Sequence, residues 1–268
     1  MRARVSDLQA RLLPHGLFDV VRQVALFAVA YYGYQMVRGA VDDPTSTALA
    51  FQHARDLIGI ERSLHIFVEP AVNGWSQGIG AVTGFTSWMY INAQFSVTIG
   101  SLIYLYLRHN DSFYFVRNMF MAAMGIALIG YIVFPTAPPR MFPEWGFTDS
   151  VAIFTGIHED TGSLNALVNP YAAVPSMHVA FSLMIGIPLS MLVKRRPAKV
   201  FWALYPLIVT FVIVATANHF ISDAILGLLT AAAAAWAARG LARVRPRAWA
   251  FSRNSREPVA GDPSAVIA

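Results

Sequence analysis

The chain has no cysteine. Disulfides, thiolate-held metals and cysteine nucleophiles are therefore excluded, and the redox compartment leaves no mark on the sequence. Charge is scarce as well: 13% of the residues are Asp, Glu, Lys or Arg, against roughly 25% in a soluble domain. So little charge cannot clothe a water-facing surface. A chain that is 56% hydrophobic is not a disordered segment either. No internal repeat is present. In place of these features stand long apolar runs, with eighteen Phe and six Trp, so the bilayer is the expected solvent. The formal net charge of +5 could suggest nucleic acid. The cations, however, sit in short clusters between apolar runs instead of forming one stripe, the pattern of membrane topology; no nucleic-acid partner is expected.

A crossing helix needs about 20 mostly apolar residues. Six runs qualify: 17–37, 88–107, 113–134, 174–193, 200–217 and 220–238. The second contains Asn92, Gln94 and Ser96. The third has Arg117 near its start, where a long stem is expected to snorkel to the interface. The fourth holds His178 and Pro188, and the sixth holds Asp223. The expected fold is an all-α membrane protein, a bundle of six transmembrane helices. Residues 48–67 read as an amphipathic helix in the first outer loop, with Leu57, Ile60, Leu64 and Phe67 at helical spacing. The connection 135–173, rich in Pro, Gly, Asn and Asp, reads as a structured loop. The organisation is thus a basic N-terminal segment over 1–16, a membrane domain over 17–238 and a basic, disordered tail over 239–268. A signal peptide is the alternative for the N-terminus, but Tyr31-Tyr32-Gly33-Tyr34-Gln35 is a poor cleavage site.

Counting Lys and Arg gives the orientation. With six crossings and a cytoplasmic N-terminus, sixteen of the 20 cations fall inside. Only Arg38, Arg55, Arg62 and Arg140 fall outside. Both termini are expected in the cytoplasm of a multi-pass cell-membrane protein, and both long loops on the other side.

Ionisable groups within spans are costly and mark functional candidates. His178 lies near the outer end of the fourth run, His219 and Asp223 begin the sixth, and Arg140 is the sole cation of the outer loop after the third. The topology, derived from loop charges alone, brings all four to the outer face. His219 and Asp223, four apart, share a helix face. A carboxylate on one imidazole nitrogen leaves the other free as nucleophile or base; a buried polar pair joining two helices has the same spacing. In the sequence leading to His178, Pro175 suits a first helical position. The N–H groups of Ser176, Met177 and His178 would then favour an anion such as phosphate. A plain helix start with a packed histidine is the alternative. Three prolines before Arg140 stiffen the chain, and its planar fork suits a phosphate; a lipid headgroup would satisfy it too.

Taken together, Pro135-Thr136-Ala137-Pro138-Pro139-Arg140, then Asn169-Pro170-Tyr171-Ala172-Ala173-Val174-Pro175-Ser176-Met177-His178, then Asn218-His219-Phe220-Ile221-Ser222-Asp223 resemble the phosphatidic acid phosphatase type 2 (PAP2) superfamily. The likeness is greatest to its inositol phosphorylceramide synthase branch. The resemblance implies a metal-free, cofactor-free phosphohistidine mechanism on a phospholipid or polyprenyl phosphate. His219 would attack phosphorus, Asp223 orient it and His178 protonate the departing oxygen. Arg140 and Ser176 would bind the phosphoryl oxygens. Two departures stand out. The superfamily's first motif has a Lys seven residues before Arg-Pro, which is lacking here. Its third has Ser-Arg upstream of the histidine, where this chain has Val212-Ile213. Both point to the synthase-like branch and leave Arg140 more of the charge to carry, with Arg55 and Arg62 as the nearest outer cations. A transporter using the His/Asp set for proton coupling is the alternative from another class.

Overall fold

The computed structural model describes residues 13, 15–39, 44–156 and 171–244. Over these residues the chain is helical, with no strand and one isolated bridge, Thr136 to Ala172. Each apolar run coincides with one helix: α1 (Leu17–Gly39), α4 (Gly80–Arg108), α5 (Asn110–Val133), α7 (Met177–Leu192), α8 (Arg196–Ala215) and α9 (Ile221–Val244). Between the first two of these lie α2 (Pro44–Ser63) and α3 (Glu69–Gln77). The loop after α5 makes two 3₁₀ turns, Pro139–Met141 and Pro143–Trp145, and then the short α6 (Ser150–Thr155). Asp149 caps α6 by accepting from the N–H groups of Val151 and Ala152 at 3.0 and 2.9 Å.

Among the described residues, α5, α8 and α9 are long and apolar enough to cross a membrane, while α7 is apolar but shorter at 16 residues. α1 carries Asp19, Arg22 and Gln23, and α4 carries Asn92, Gln94, Thr98 and Ser101, which dilutes both. α9 continues past the expected boundary at Ala238 to Val244. The rest of the expected tail, the segment 1–12 and Asn169-Pro170 lie outside the described residues.

The main core lies between α5, α7, α8 and α9. Met124 and Ala127 of α5, Ala180 and Met184 of α7, Ile213 of α8 and Ala231 of α9 are all buried in it. α7 and α8 form a close hairpin because Gly186 has no side chain: a Cβ there would stand 2.7 Å from the Trp202 carbonyl oxygen. A second, smaller cluster joins α2 to the loop ends. It holds Ala50, Ala54, Leu57 and Ile58 together with Ala137, Phe142, Phe147, Ala217 and Phe220. That cluster is where the candidate site is built.

Small residues define one helix face, and one sequence expectation changes. The buried face of α2 is Ala50-Ala54-Leu57-Ile58-Glu61, whereas Ile60 and Leu64 are exposed and Phe67 lies beyond the helix end. Small alanines let α2 press close to the loop, and the Ala137 N–H donates to the Ala50 carbonyl at 3.1 Å. Arg117 does not snorkel: it is 1% exposed. Its Nη1 donates to Gln23 Oε1 at 2.8 Å and its Nη2 to Asn118 Oδ1 at 2.7 Å. Beside it, Asp19 Oδ2 accepts from the Tyr106 and Tyr114 hydroxyls at 2.9 and 2.8 Å, and its Oδ1 from Gln23 at 2.9 Å. A buried charge is tolerable only when hydrogen-bonded, and these partners come from α1, α4 and α5. The network ties α1 to the bundle at the end opposite the site.

Candidate active site

The turn between α8 and α9 carries His219. It bends through Ala217, which takes a left-handed φ of 54° although it is not glycine. Such a conformation costs about 1–2 kcal/mol, offset here by hydrogen bonds that use the turn's shape. The Arg140 N–H donates to the Ala217 carbonyl at 2.8 Å, and the Asn218 N–H donates to the Ile213 carbonyl at 3.0 Å. His219 Nδ1 lies 3.2 Å from Asp223 Oδ2, and the same oxygen accepts from the Phe220 N–H at 2.9 Å. His219 is 6% exposed and Asp223 fully buried. With the carboxylate on Nδ1, the ring proton belongs there and Nε2 keeps its lone pair.

His178 stands in the first turn of α7, its ring centroid 5.6 Å from that of His219 and tilted by 62°. Its ring also stacks on Tyr90 of α4 at 4.5 Å and 19°. A small cavity between α4, α7 and α8 lies beside His178, lined by Met89, Phe181 and Val209 with Gln94, Thr98 and Ser182. Pro175 does not begin the helix as expected. Helix α7 starts at Met177 with Ser176 as its N-cap, and the Val174–Pro175 peptide is cis. The Ser176 N–H is not available to an anion, because it donates to the Asp223 carbonyl at 3.1 Å. The Ser176 hydroxyl, however, is buried without a hydrogen-bond partner. Close contact between α7 and α9 depends on Gly227, where a Cβ would meet the Ser176 carbonyl oxygen at 2.4 Å.

Arg140 joins this group from the loop after α5. Its Nη1 donates to Asn218 Oδ1 at 2.8 Å, and its Nε lies 3.4 Å from Asp149 Oδ2. Prolines alone do not hold it there. α2 grips the same loop, with His53 stacked on Phe134 at 4.0 Å and its Nδ1 2.8 Å from the Pro135 carbonyl oxygen. The Thr136 N–H is bound by the Tyr171 carbonyl at 2.8 Å. Arg140 is thus aimed by contacts reaching from α2 to the α8–α9 turn. Arg55 is exposed on α2, and Arg62 lies over the Phe67 and Trp145 rings at 5.1 and 5.0 Å.

The structure therefore brings His178, His219, Asp223, Arg140 and Ser176 to one end of the bundle. Sequence reasoning passed over Tyr90, Asp149, Glu61 and Glu69. Asn218 was in a quoted motif without a role, and it is the residue that links Arg140 to the histidine turn. The two glutamates stand eight residues apart in a mixed polar and apolar stretch, so nothing local singles them out. Their partners lie about 150 residues away, which no local pattern reveals. Chemically, the set offers an imidazole backed by a carboxyl group, a second imidazole edge-on to the first, and a guanidinium held in place.

A sequence model of the PAP2 superfamily matches residues 55–237, a stretch that includes all five of these residues. No curated protein and no solved structure matches the chain significantly.

Proposed function

The chain belongs to the PAP2 superfamily, and from that premise we propose that it is a lipid phosphatase or phosphotransferase acting through a phosphohistidine at His219. Membership itself points to phosphatase or phosphotransferase chemistry. The observation that carries the finer reading is the pairing of His219 Nδ1 with Asp223 at 3.2 Å, with the His178 ring 5.6 Å from the His219 ring. Nε2 of His219 attacks phosphorus while the P–O bond to the lipid breaks, and His178 gives its proton to the departing oxygen. A water or an acceptor hydroxyl then attacks the phosphorus, His178 takes up its proton, and the P–N bond breaks to restore His219. Asp223 stabilises the imidazolium at each stage. Arg140 neutralises charge gathering on the phosphoryl oxygens, and the unpartnered Ser176 hydroxyl can donate to one of them.

The substrate class follows from setting. The site lies at one end of a bundle of apolar helices, three of them long enough to cross a membrane, so a phosphate carried by a lipid, a phospholipid or polyprenyl phosphate, is the substrate it suits. The shortage of phosphate-binding cations relative to the superfamily motifs favours the inositol phosphorylceramide synthase-like branch, in which a phosphodiester portion is transferred. The Lys/Arg bias supports a topology of six crossings, by α1, α4, α5, α7, α8 and α9, in a cell membrane with both termini cytoplasmic and the site on the outer side.

Purified protein in detergent, incubated with phospholipids and polyprenyl phosphates with and without inositol, tests this reading. Phosphate release without acceptor identifies a phosphatase, and an acceptor-dependent lipid product identifies a transferase. Absence of either from every donor would contradict the proposal and return the His/Asp set to the proton-coupled transporter reading.

A further inference from the structure

The start of a helix leaves its first N–H groups unpaired, and at α9 three acids take them. Phe220 is served by Asp223. The Ile221 N–H donates to Glu69 Oε1 at 2.8 Å, and the Ser222 N–H and hydroxyl both donate to Glu61 Oε1 at 2.7 Å. Glu61 ends the buried face of α2 and Glu69 opens α3, so both reach α9 from the first long connection. Each is 0% exposed. Their second oxygens, both Oε2, are buried and receive no donor from the rest of the protein, and the two carboxyls lie against one another. Two adjacent buried carboxylates cannot both stay ionised; one proton between them removes the repulsion and satisfies both free oxygens.

We propose that Glu61 and Glu69 are positioning residues, a carboxyl pair sharing one proton that clamps the first turn of α9 and so fixes His219 and Asp223. The functional part of this rests on the reading of His219 as nucleophile. Glu61, which accepts both donors of Ser222, carries the charge. Glu69 carries the proton, donates it toward Glu61 and accepts from Ile221. Burial first, and then Glu61, push the Glu69 carboxyl up to about 8, so the proton is held at neutral pH.

Among the described residues, no cation of the surrounding elements is placed to replace it. On α2, Arg62 turns to the Phe67 and Trp145 rings, and His65 in the following turn is exposed. From α9, Asp223 faces Glu61 as a further acid, with His219 bonded to it. In the loop beside α3, Asp149 is paired with Arg140. α8 meets α3 at its C-terminal end, where the Ala215 carbonyl accepts from Asn73, so Arg196 and Lys199 stand at its other end. On α4, Arg108 is likewise at the far end.

Glu69→Gln tests the pair, because the amide reproduces the hydrogen bonds of the protonated acid and cannot lose the proton. Glu69 binds its proton more tightly folded, about 8, than at its ordinary value of 4.5. Its contribution to stability is therefore complete below about 4.5 and lost as pH rises through about 8. The Tm of the wild type should fall over that window, and the fall should be flattened in Glu69→Gln. In turnover, the ratio of kcat at pH 9 to kcat at pH 7 should be about tenfold higher in Glu69→Gln than in wild type, since one unit above the pKa leaves about a tenth protonated. Glu69→Ala, which leaves Ile221 unpaired, should lower kcat at every pH with little change in KM; should it fail to fold, the Gln variant carries the test. An unchanged Tm slope in Glu69→Gln overturns the shared proton. A flattened slope with a wild-type kcat profile overturns positioning. A flattened slope in a protein that turns over no lipid phosphate leaves the clamp standing and removes the nucleophile reading instead.

Discussion

Replacing Gly227 by alanine adds one methyl group where α9 crosses the start of α7. The new Cβ would lie 2.4 Å from the Ser176 carbonyl oxygen and 3.3 Å from Val179 Cβ. A comfortable separation is near 3.5 Å, so the helices must part by about 1 Å. The obstructing atom is backbone and cannot swing aside. Ser176 is bonded through its N–H to the Asp223 carbonyl, and His178 is two residues further on, so the displacement falls directly on the distance between the two histidines. Overpacking of this kind costs about 1–3 kcal/mol of stability. A shift of about 1 Å at reacting groups costs on the order of 10²-fold in rate. Gly125 in α5 is the control: a Cβ there meets nothing within 4 Å, and the same substitution should be neutral or stabilise by up to about 1 kcal/mol. Phosphoryl transfer from a lipid donor, assayed beside thermal unfolding of both variants, separates the cases. Gly227→Ala turning over at the wild-type rate, or Gly125→Ala losing as much, would refute the view that close α7–α9 contact sets the catalytic geometry.

Other expectations follow from particular contacts. His178→Ala should be partly rescued by an activated aryl phosphate, whose leaving oxygen needs little protonation; rescue of His219→Ala instead would exchange the two histidines' roles. Arg117→Leu should destabilise the protein by about 2–3 kcal/mol, because it leaves the buried Gln23 and Asn118 acceptors unsatisfied, whereas an arginine reaching out to the interface would cost almost nothing in an unfolding assay. Single cysteines at Thr155 and Arg195 of this cysteine-free chain should react with impermeant reagent from opposite sides of the membrane; labelling from one side would overturn the six-crossing topology.

The six helices of the bundle were legible because each is written locally, as an apolar run of nearly the right length bounded by charge. Chemistry at one end of the bundle was legible too, since His219 and Asp223 are four residues apart and do pair, although His219 stands in the turn before α9 and not on the helix face expected. What was not legible depended on distant partners. Arg117 looks like a cation at a helix end until Gln23 from α1 is seen to reach it. On α2 the alanines, weak signals in a periodicity, form much of the face that packs on the loop, while Ile60 and Leu64 of the apolar stripe lie on its exposed side. Ser176 was expected to offer its N–H to an anion, but a carbonyl from α9 occupies it. The glutamate pair at α9 is the extreme case, since its meaning depends wholly on backbone donors 152 and 161 residues away.

The central claim is that His219 is the nucleophile. The most direct measurement is to quench the protein during turnover of a lipid donor labelled at phosphorus and to locate the covalent label by peptide mapping. The account predicts an acid-labile, alkali-stable phosphoryl adduct on His219 that is absent from His219→Ala. Turnover with no covalent label under rapid quench, or a label on His178, would contradict it.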